Sequence, residues 1–168
     1  QYESGVAAVS GKWQDFLTIP YLQSNTCTYG SADRLRQLYE RCASLPNAAM
    51  LAVATRADCL SDDVISILKD ISGEIPVLVE LGLQTIHEYT ARYIRRGYPT
   101  RVYTDAVKRL KAAGLEVVTH IILGLPGETL EDYLYTARKI AALPFEAVKM
   151  HNLLILHNTA MEKMFRAG

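Results

Sequence analysis

The chain has 168 residues, a formal net charge of zero and a hydrophobic content of 49%, which suits one domain with a sizeable core and excludes bulk electrostatic attraction to nucleic acid. No run of roughly 18 apolar residues is present, and the first residues carry no signal-peptide pattern. Three cysteines, scattered at 27, 42 and 59, offer no disulfide framework and point to a reducing, cytoplasmic setting.

Residues 1–13, QYESGVAAVSGKW, put Val6, Ala7, Val9 and Trp13 where they would line the apolar side of a helix end. A frayed terminal segment is the equal alternative. FLTIPYLQ (16–23) reads as a strand, although Pro20 argues against a central position in a sheet. The strand ends in Gln23-Ser24-Asn25-Thr26, small polar side chains suited to a turn. Ser31 is then placed to cap a helix built on Leu35, Leu38, Tyr39 and Cys42.

AAMLAVAT (48–55) is a buried strand, and Ser61 caps a helix with Val64, Ile65, Leu68 and Ile71 on its apolar face. Arg56 and Asp58 follow that strand. Arg56 there either holds an anion through its planar fork or pairs with Asp58. PVLVEL (76–81), continuing through Leu83, is the next strand, and Thr85 with Glu88 is spaced as a capping box. Glu80 lies within the strand, where a carboxylate is expensive to bury unless paired, so it is expected to face a polar cavity or a cation. Gln84 at the strand end both donates and accepts, which suits ribose hydroxyls; capping the loop is the alternative. The basic residues Arg92, Arg95, Arg96, Arg101, Lys108, Arg109 and Lys111 read mostly as a solvated helix face.

A helix over 101–113 ends at Gly114 and leads into LEVVTHIIL (115–123). His120 alternates with Ile121 there, so one side of the strand meets something polar, a satisfied core histidine being the plainer account. Gly124-Leu125-Pro126-Gly127-Glu128 forms a tight loop before Thr129, which with Asp132 resembles a second capping box. The glycines permit close approach to a flat ligand and the helix start offers free N–H groups; a plain connector is the alternative. A helix over 130–142 and a short strand EAVKM (146–150) follow, with His151 and Asn152 at the strand's end.

Strands alternating with helices through short polar loops make an α/β protein of parallel strands covered by helices. Five or six strands fit the length, and a complete (β/α)₈ barrel needs about 250 residues, so the chain reads as a partial TIM barrel. Chemistry is expected at the strands' C-terminal ends, here Glu80–Gln84 and His120–Glu128.

The segments ELGLQ (80–84) and HIILGLPGET (120–129), with IRRGY (94–98) between them and YLQSNTCTYG (21–30) and ATRADCL (54–60) ahead, resemble the radical S-adenosylmethionine superfamily. The resemblance covers nearly the whole chain and is to the YhcC-like Fe–S oxidoreductases, with oxygen-independent coproporphyrinogen oxidase and the elongator catalytic subunit as more distant relatives. It implies an incomplete arc of a (β/α)₆ core, S-adenosylmethionine and a [4Fe–4S] cluster as cofactors, and a 5′-deoxyadenosyl radical acting on an unknown substrate. The cofactor-binding residues it implies are Gln23, Ser24, Glu80, Gln84, Arg96, His120, Gly124, Leu125 and Pro126. Gln23 and Ser24 would lie near the methionine amino group, in place of the glycine-glycine-glutamate element of many relatives. Gln84 would line the pocket, and Arg96, with Arg95 as its substitute, would hold the methionine carboxylate. His120 stands where relatives often have an acidic ribose ligand, and the 124–126 loop would pack against adenine without reproducing the G-x-I-x-G-x-x-E pattern.

The family's C-x₃-C-x₂-C cluster motif has no counterpart, because Cys27, Cys42 and Cys59 fall in separate elements. His87, His151 and His157 show no ligand spacing either, so no metal ligand is expected in this chain. The expectation is therefore a truncated single domain over 1–168 whose cluster motif lies upstream, inactive alone as a radical generator. Two other readings stand beside it. One is a metal-independent barrel lyase or isomerase using Glu80 and His120 as an acid–base pair. The other is a non-catalytic fragment that self-associates, as a homo-oligomer, through its open sheet edges. The substrate ranges from a small metabolite to a nucleoside in RNA.

Overall fold

The structure is a computed structural model and describes residues 2–167. Five strands, β1 (Tyr21–Leu22), β2 (Leu51–Arg56), β3 (Val77–Gln84), β4 (Glu116–Leu123) and β5 (Ala147–Asn152), form one sheet. All four pairings are parallel and the spatial order is the chain order. An order without reversal is that of a barrel arc, since a doubly wound sheet reverses at a switch point.

Among the described residues seven α-helices accompany the sheet: α1 (Tyr2–Ser10), α2 (Ala32–Ala43), α3 (Asp62–Ser72), α4 (Glu88–Tyr93), α5 (Thr100–Ala112), α6 (Leu130–Ile140) and α7 (Ala160–Arg166). No helix among the described residues is long and apolar enough to cross a membrane. Alternate strand residues build the core. Leu51 and Val53, then Val77, Val79, Leu81 and Leu83, then Val117 and Ile121, meet Leu35 and Tyr39 of α2, Leu68 and Ile71 of α3, and Tyr103, Val107 and Leu110 of α5 in one buried cluster. Each large side chain so buried contributes roughly 1.5–3 kcal/mol. Tyr103 reaches through this layer to share a hydrogen bond with Thr119 Oγ1 at 2.5 Å, which satisfies both buried hydroxyls.

The other face of the sheet is not covered by those helices. In register it carries Tyr21, then Ala52, Ala54 and Arg56, then Leu78, Glu80 and Gly82, then Val118, His120 and Ile122, and last Ala147, Lys149 and His151. This face is strongly concave. Lys149 Nζ on one edge strand lies 2.9 Å from the hydroxyl of Tyr21 on the other, whereas a flat five-stranded sheet would hold those strands roughly 19 Å apart.

Several local expectations need correction. β1 is two residues long, with an isolated bridge between Thr18 and Ala48 ahead of it, because Pro20 interrupts the ladder as its missing N–H requires. α1 buries no residue, and Trp13 is 58% exposed, so the first segment does not extend the core. Thr85 does not cap α4: His87 holds that position without a side-chain cap, and Glu88 instead accepts from the Thr100 backbone N–H at 2.6 Å. Ser31 sits at the N-cap of α2 without a side-chain bond, whereas Ser61 caps α3 through the Val64 N–H. The Thr129–Asp132 capping box is fully formed.

Candidate functional site

The C-terminal end of β3 departs from strand geometry. Its register against β4 shifts between Gly82 and Gln84, and Gln84 adopts a left-handed backbone with φ +64°, which costs a non-glycine residue about 1–3 kcal/mol. Gly82 makes room for the result: a Cβ there would stand 2.6 Å from Gln84 Nε2. The Gln84 side chain folds back along its own strand, and its Oε1 is buried with no partner. A buried amide oxygen without a partner is uncommon in a folded protein, and here it stands at the strand end.

Arg96 fastens this turn. Its guanidinium donates to the carbonyls of Leu83 at 3.1 Å, Thr85 at 2.8 Å and Tyr98 at 2.9 Å and to Thr100 Oγ1 at 3.0 Å. The side chain is 2% exposed, and Glu88 Oε2 stands 3.7 Å away on the outside. With its donors engaged on the protein, Arg96 has no fork left for a methionine carboxylate. Arg95 next to it does: it is exposed, has φ +57°, and its side chain makes no hydrogen bond or ion pair among the described residues. Arg56 pairs with Asp58 through two bonds of 2.8 and 3.0 Å and lies over the Tyr98 ring, so the pairing alternative holds for it.

The loop after β4 is tied to this turn, since Thr85 Oγ1 donates to Glu128 Oε1. Gly124 has φ +86°, where a side chain would be strained. Its N–H donates to the Tyr133 hydroxyl at 2.9 Å. The N–H groups of Glu128, Thr129 and Asp132 bond within the loop and capping box.

A two-part cleft opens between the β3 and β4 ends and the segment after β5. One part, about 310 Å³, is lined by Arg56, Gln84, Arg95, Tyr98 and Ile122. The other, about 700 Å³, is lined by Tyr93, Leu123, Gly124, Pro126, Asn152 and Phe165. Leu153 and Met161 line both, so the two parts adjoin. Both are lined mainly by apolar surface, but the arginines Arg56, Arg95 and Arg96 border only the first. Leu125 is almost fully buried and lines the first part. Gln23 and Ser24 are exposed at the end of β1 and line neither part.

Deeper on the concave face lies a cluster that only the register assembles. Glu80 receives a hydrogen bond from the Tyr21 hydroxyl, and Lys149 Nζ stands 3.1 and 3.5 Å from its two oxygens. His120 Nε2 lies 2.8 Å from Glu80 Oε2, yet a proton on it does not point at that oxygen, and the buried nitrogen keeps an unfilled valence. Burial raises the Glu80 carboxyl, but bonds from Tyr21 and Lys149 and the field of His120 outweigh it and hold its pKa below the ordinary value. Burial pushes His120 down, more than Glu80 pulls it up, while Lys149 and His151 push it further down. Hydrogen bonding to Tyr21 raises Lys149, and burial raises Tyr21. At neutral pH the cluster is one carboxylate, one ammonium, a neutral imidazole and a neutral phenol. Glu80 and His120 thus meet, as an acid–base pair requires, but Glu80 is an ionised hub for two donors, Tyr21 and Lys149, and has no proton to give. Tyr21 and Lys149 escaped the sequence reading. Their signal was the alternation of polar and apolar residues in two short strands whose register no local pattern specifies.

The three cysteines are free and half-buried, and burial raises each thiol. Among the described residues no group of three His, Cys, Asp or Glu is placed to hold a metal ion.

The sequence is 38% identical over 157 residues to the protein YtqA of Bacillus subtilis, covering 94% of this chain and 49% of that protein. It is 34% identical over 151 residues to the protein YhcC of Escherichia coli, covering 89% of this chain and 49% of that one. The chain thus spans about half the length of these relatives. In fold it is similar to an N-terminally deleted Elp3 of the archaeon Methanocaldococcus infernus, with a TM-score of 0.80 at 21% identity, over 99% of this chain and 43% of that one. A sequence model of the Radical SAM superfamily matches residues 23–140, and the chain belongs to that superfamily.

Proposed function

We propose that this chain is the S-adenosylmethionine-binding arc of a radical SAM oxidoreductase. The observation that carries the reading is Gln84: left-handed, flanked by the Arg96 bonds, given room by Gly82, and presenting a buried unpartnered oxygen beside a largely apolar cleft with arginines at one end. The residues fit the nucleoside. Gln84 would hold ribose hydroxyls, whereas His120 lines neither part of the cleft and belongs to the deeper cluster. Gly124, Pro126 and Leu153 would pack against adenine, with Leu125 supporting them from beneath. Arg95, the exposed arginine at the arginine-bordered end, takes the carboxylate role from its engaged neighbour Arg96. Gln23 and Ser24 remain the proposed neighbours of the amino group.

The residues do not fit the cluster. Cys27, Cys42 and Cys59 lack the spacing, and no three-ligand group is present among the described residues. We therefore assign the cluster thiolates to residues outside this sequence, in a longer protein of the YtqA and YhcC kind. With both cofactors bound, the chemistry supplied is hydrogen abstraction by a 5′-deoxyadenosyl radical. The protein's part is to bind and orient.

Calorimetric titration of the chain with S-adenosylmethionine tests the reading without iron. Saturable binding weakened about tenfold or more by Gln84→Ala, with an unchanged melting temperature, is the expected result. No binding to the folded chain, or binding indifferent to Gln84, would overturn it.

A further inference from the structure

The polar cluster on the concave face is layered by charge. Glu80 is its deepest member, with a side chain only 10% exposed, whereas Lys149 is 37% and His120 18% exposed. His151 is exposed, with its ring 5.2 Å from that of His120. Whatever enters the concavity meets an ammonium and two imidazoles, with the carboxylate beneath them. The face is open at this level, since Lys149 is partly exposed and His151 exposed, and the small residues Ala52 and Ala54 stand opposite on β2. Lys149 and His151 line neither part of the cofactor cleft, so that cleft does not account for them.

We propose that this chamber binds an anionic group of the substrate, a carboxylate or a phosphate, on Lys149 Nζ with His120 and His151 beside it. The word substrate rests on the radical SAM reading; the anion site rests on this chain's side chains alone. Lys149 is the counter-ion of Glu80 in the empty chamber. An anion that draws on the same ammonium leaves Glu80 undercompensated, and the nearest group able to restore the balance is His120. A proton passes from solvent to the unprotonated nitrogen of His120, and no other bond is made or broken. The groups facing His120 are Glu80 from β3, Lys149 and His151 from β5, and Tyr21 from β1 behind Glu80. β2 offers Ala54 at this level, and its Arg56, nearer the mouth, is tied to Asp58. Anion binding is thus coupled to proton uptake and tightens as the pH falls through the His120 titration.

The test is an NMR titration of the histidine-labelled chain with sodium phosphate and, separately, sodium acetate, at constant ionic strength set by sodium chloride. Saturable shifts of His120 and His151, with a raised His120 pKa at saturation, are expected. Lys149→Met should weaken the response about tenfold or more, and Lys149→Arg should restore it. A tighter phosphate response assigns a phosphorylated substrate, and a tighter acetate response a carboxylate. Shifts no larger than those in chloride, saturation that survives Lys149→Met, or competition by free methionine at equal concentration would each overturn the site. S-adenosylmethionine is titrated into the same wild-type sample. Anion binding without it leaves the site standing and removes the cofactor reading, and the converse result does the opposite.

Discussion

Gln84 and Gly82 act as a unit, although they differ in how a substitution is felt. A methyl group at position 82 would meet the far end of a flexible side chain at 2.6 Å rather than backbone. Gly82→Ala should therefore leave the melting temperature nearly unchanged while swinging Gln84 out of place, and S-adenosylmethionine affinity should fall as far as in Gln84→Ala. Arg96 behaves in the opposite way. Its removal strips donors from three carbonyls and a threonine hydroxyl, a loss of about 3 kcal/mol or more, read by denaturant unfolding. Lysine should not rescue it, because one ammonium does not span four acceptors arranged for a planar fork. The dipeptide Arg95-Arg96 shows why sequence alone does not say which arginine is engaged on the protein. The two are identical in type and adjacent, and only the left-handed turn at Arg95 decides which points inward.

At the scale of elements, two helix starts carried the same spacing of a threonine and an acidic residue, and one became a capping box. Thr129 has a free strand-to-helix loop before it and closes the box with Asp132. Thr85 lies directly after the distorted end of β3, where its hydroxyl is taken by Glu128 and by the His87 N–H. Glu88, left without that role, crosses to the Thr100 N–H at the start of α5, whose N-cap Pro99 has no side chain able to accept. Thr129→Ala should cost about 1 kcal/mol in denaturant unfolding, whereas Thr85→Ala should mainly loosen the 124–128 loop, visible as faster amide exchange there.

The whole molecule is an arc held curved from within. Tyr21 and Lys149, on opposite edge strands, meet over Glu80, and this contact exists only while the sheet is bent. Acid should release it in two stages of the same sign. His120 has a folded pKa below its unfolded value of about 6.5, so the unfolded chain takes up that proton first and stability falls as the pH drops below that value. Glu80 is likewise depressed, so its contribution is present above its unfolded value of about 4.3 and is lost as the pH falls through its folded one. His120→Gln should flatten the upper stage alone and Glu80→Gln the lower one, in chemical denaturation followed across pH.

Periodicity, turn residues and length were enough to identify parallel βα units and an incomplete barrel, because those depend on neighbours within one or two turns of chain. The motif segments likewise identified the superfamily and singled out Gln84, since strand ends carry the chemistry in such folds. Tertiary structure alone decided which arginine is engaged, that Tyr133 takes the Gly124 N–H, and that Tyr21 and Lys149 join Glu80 and His120. Those facts depend on strand register and sheet curvature, and residues 128 positions apart meet only through the summed pairing of every strand between them.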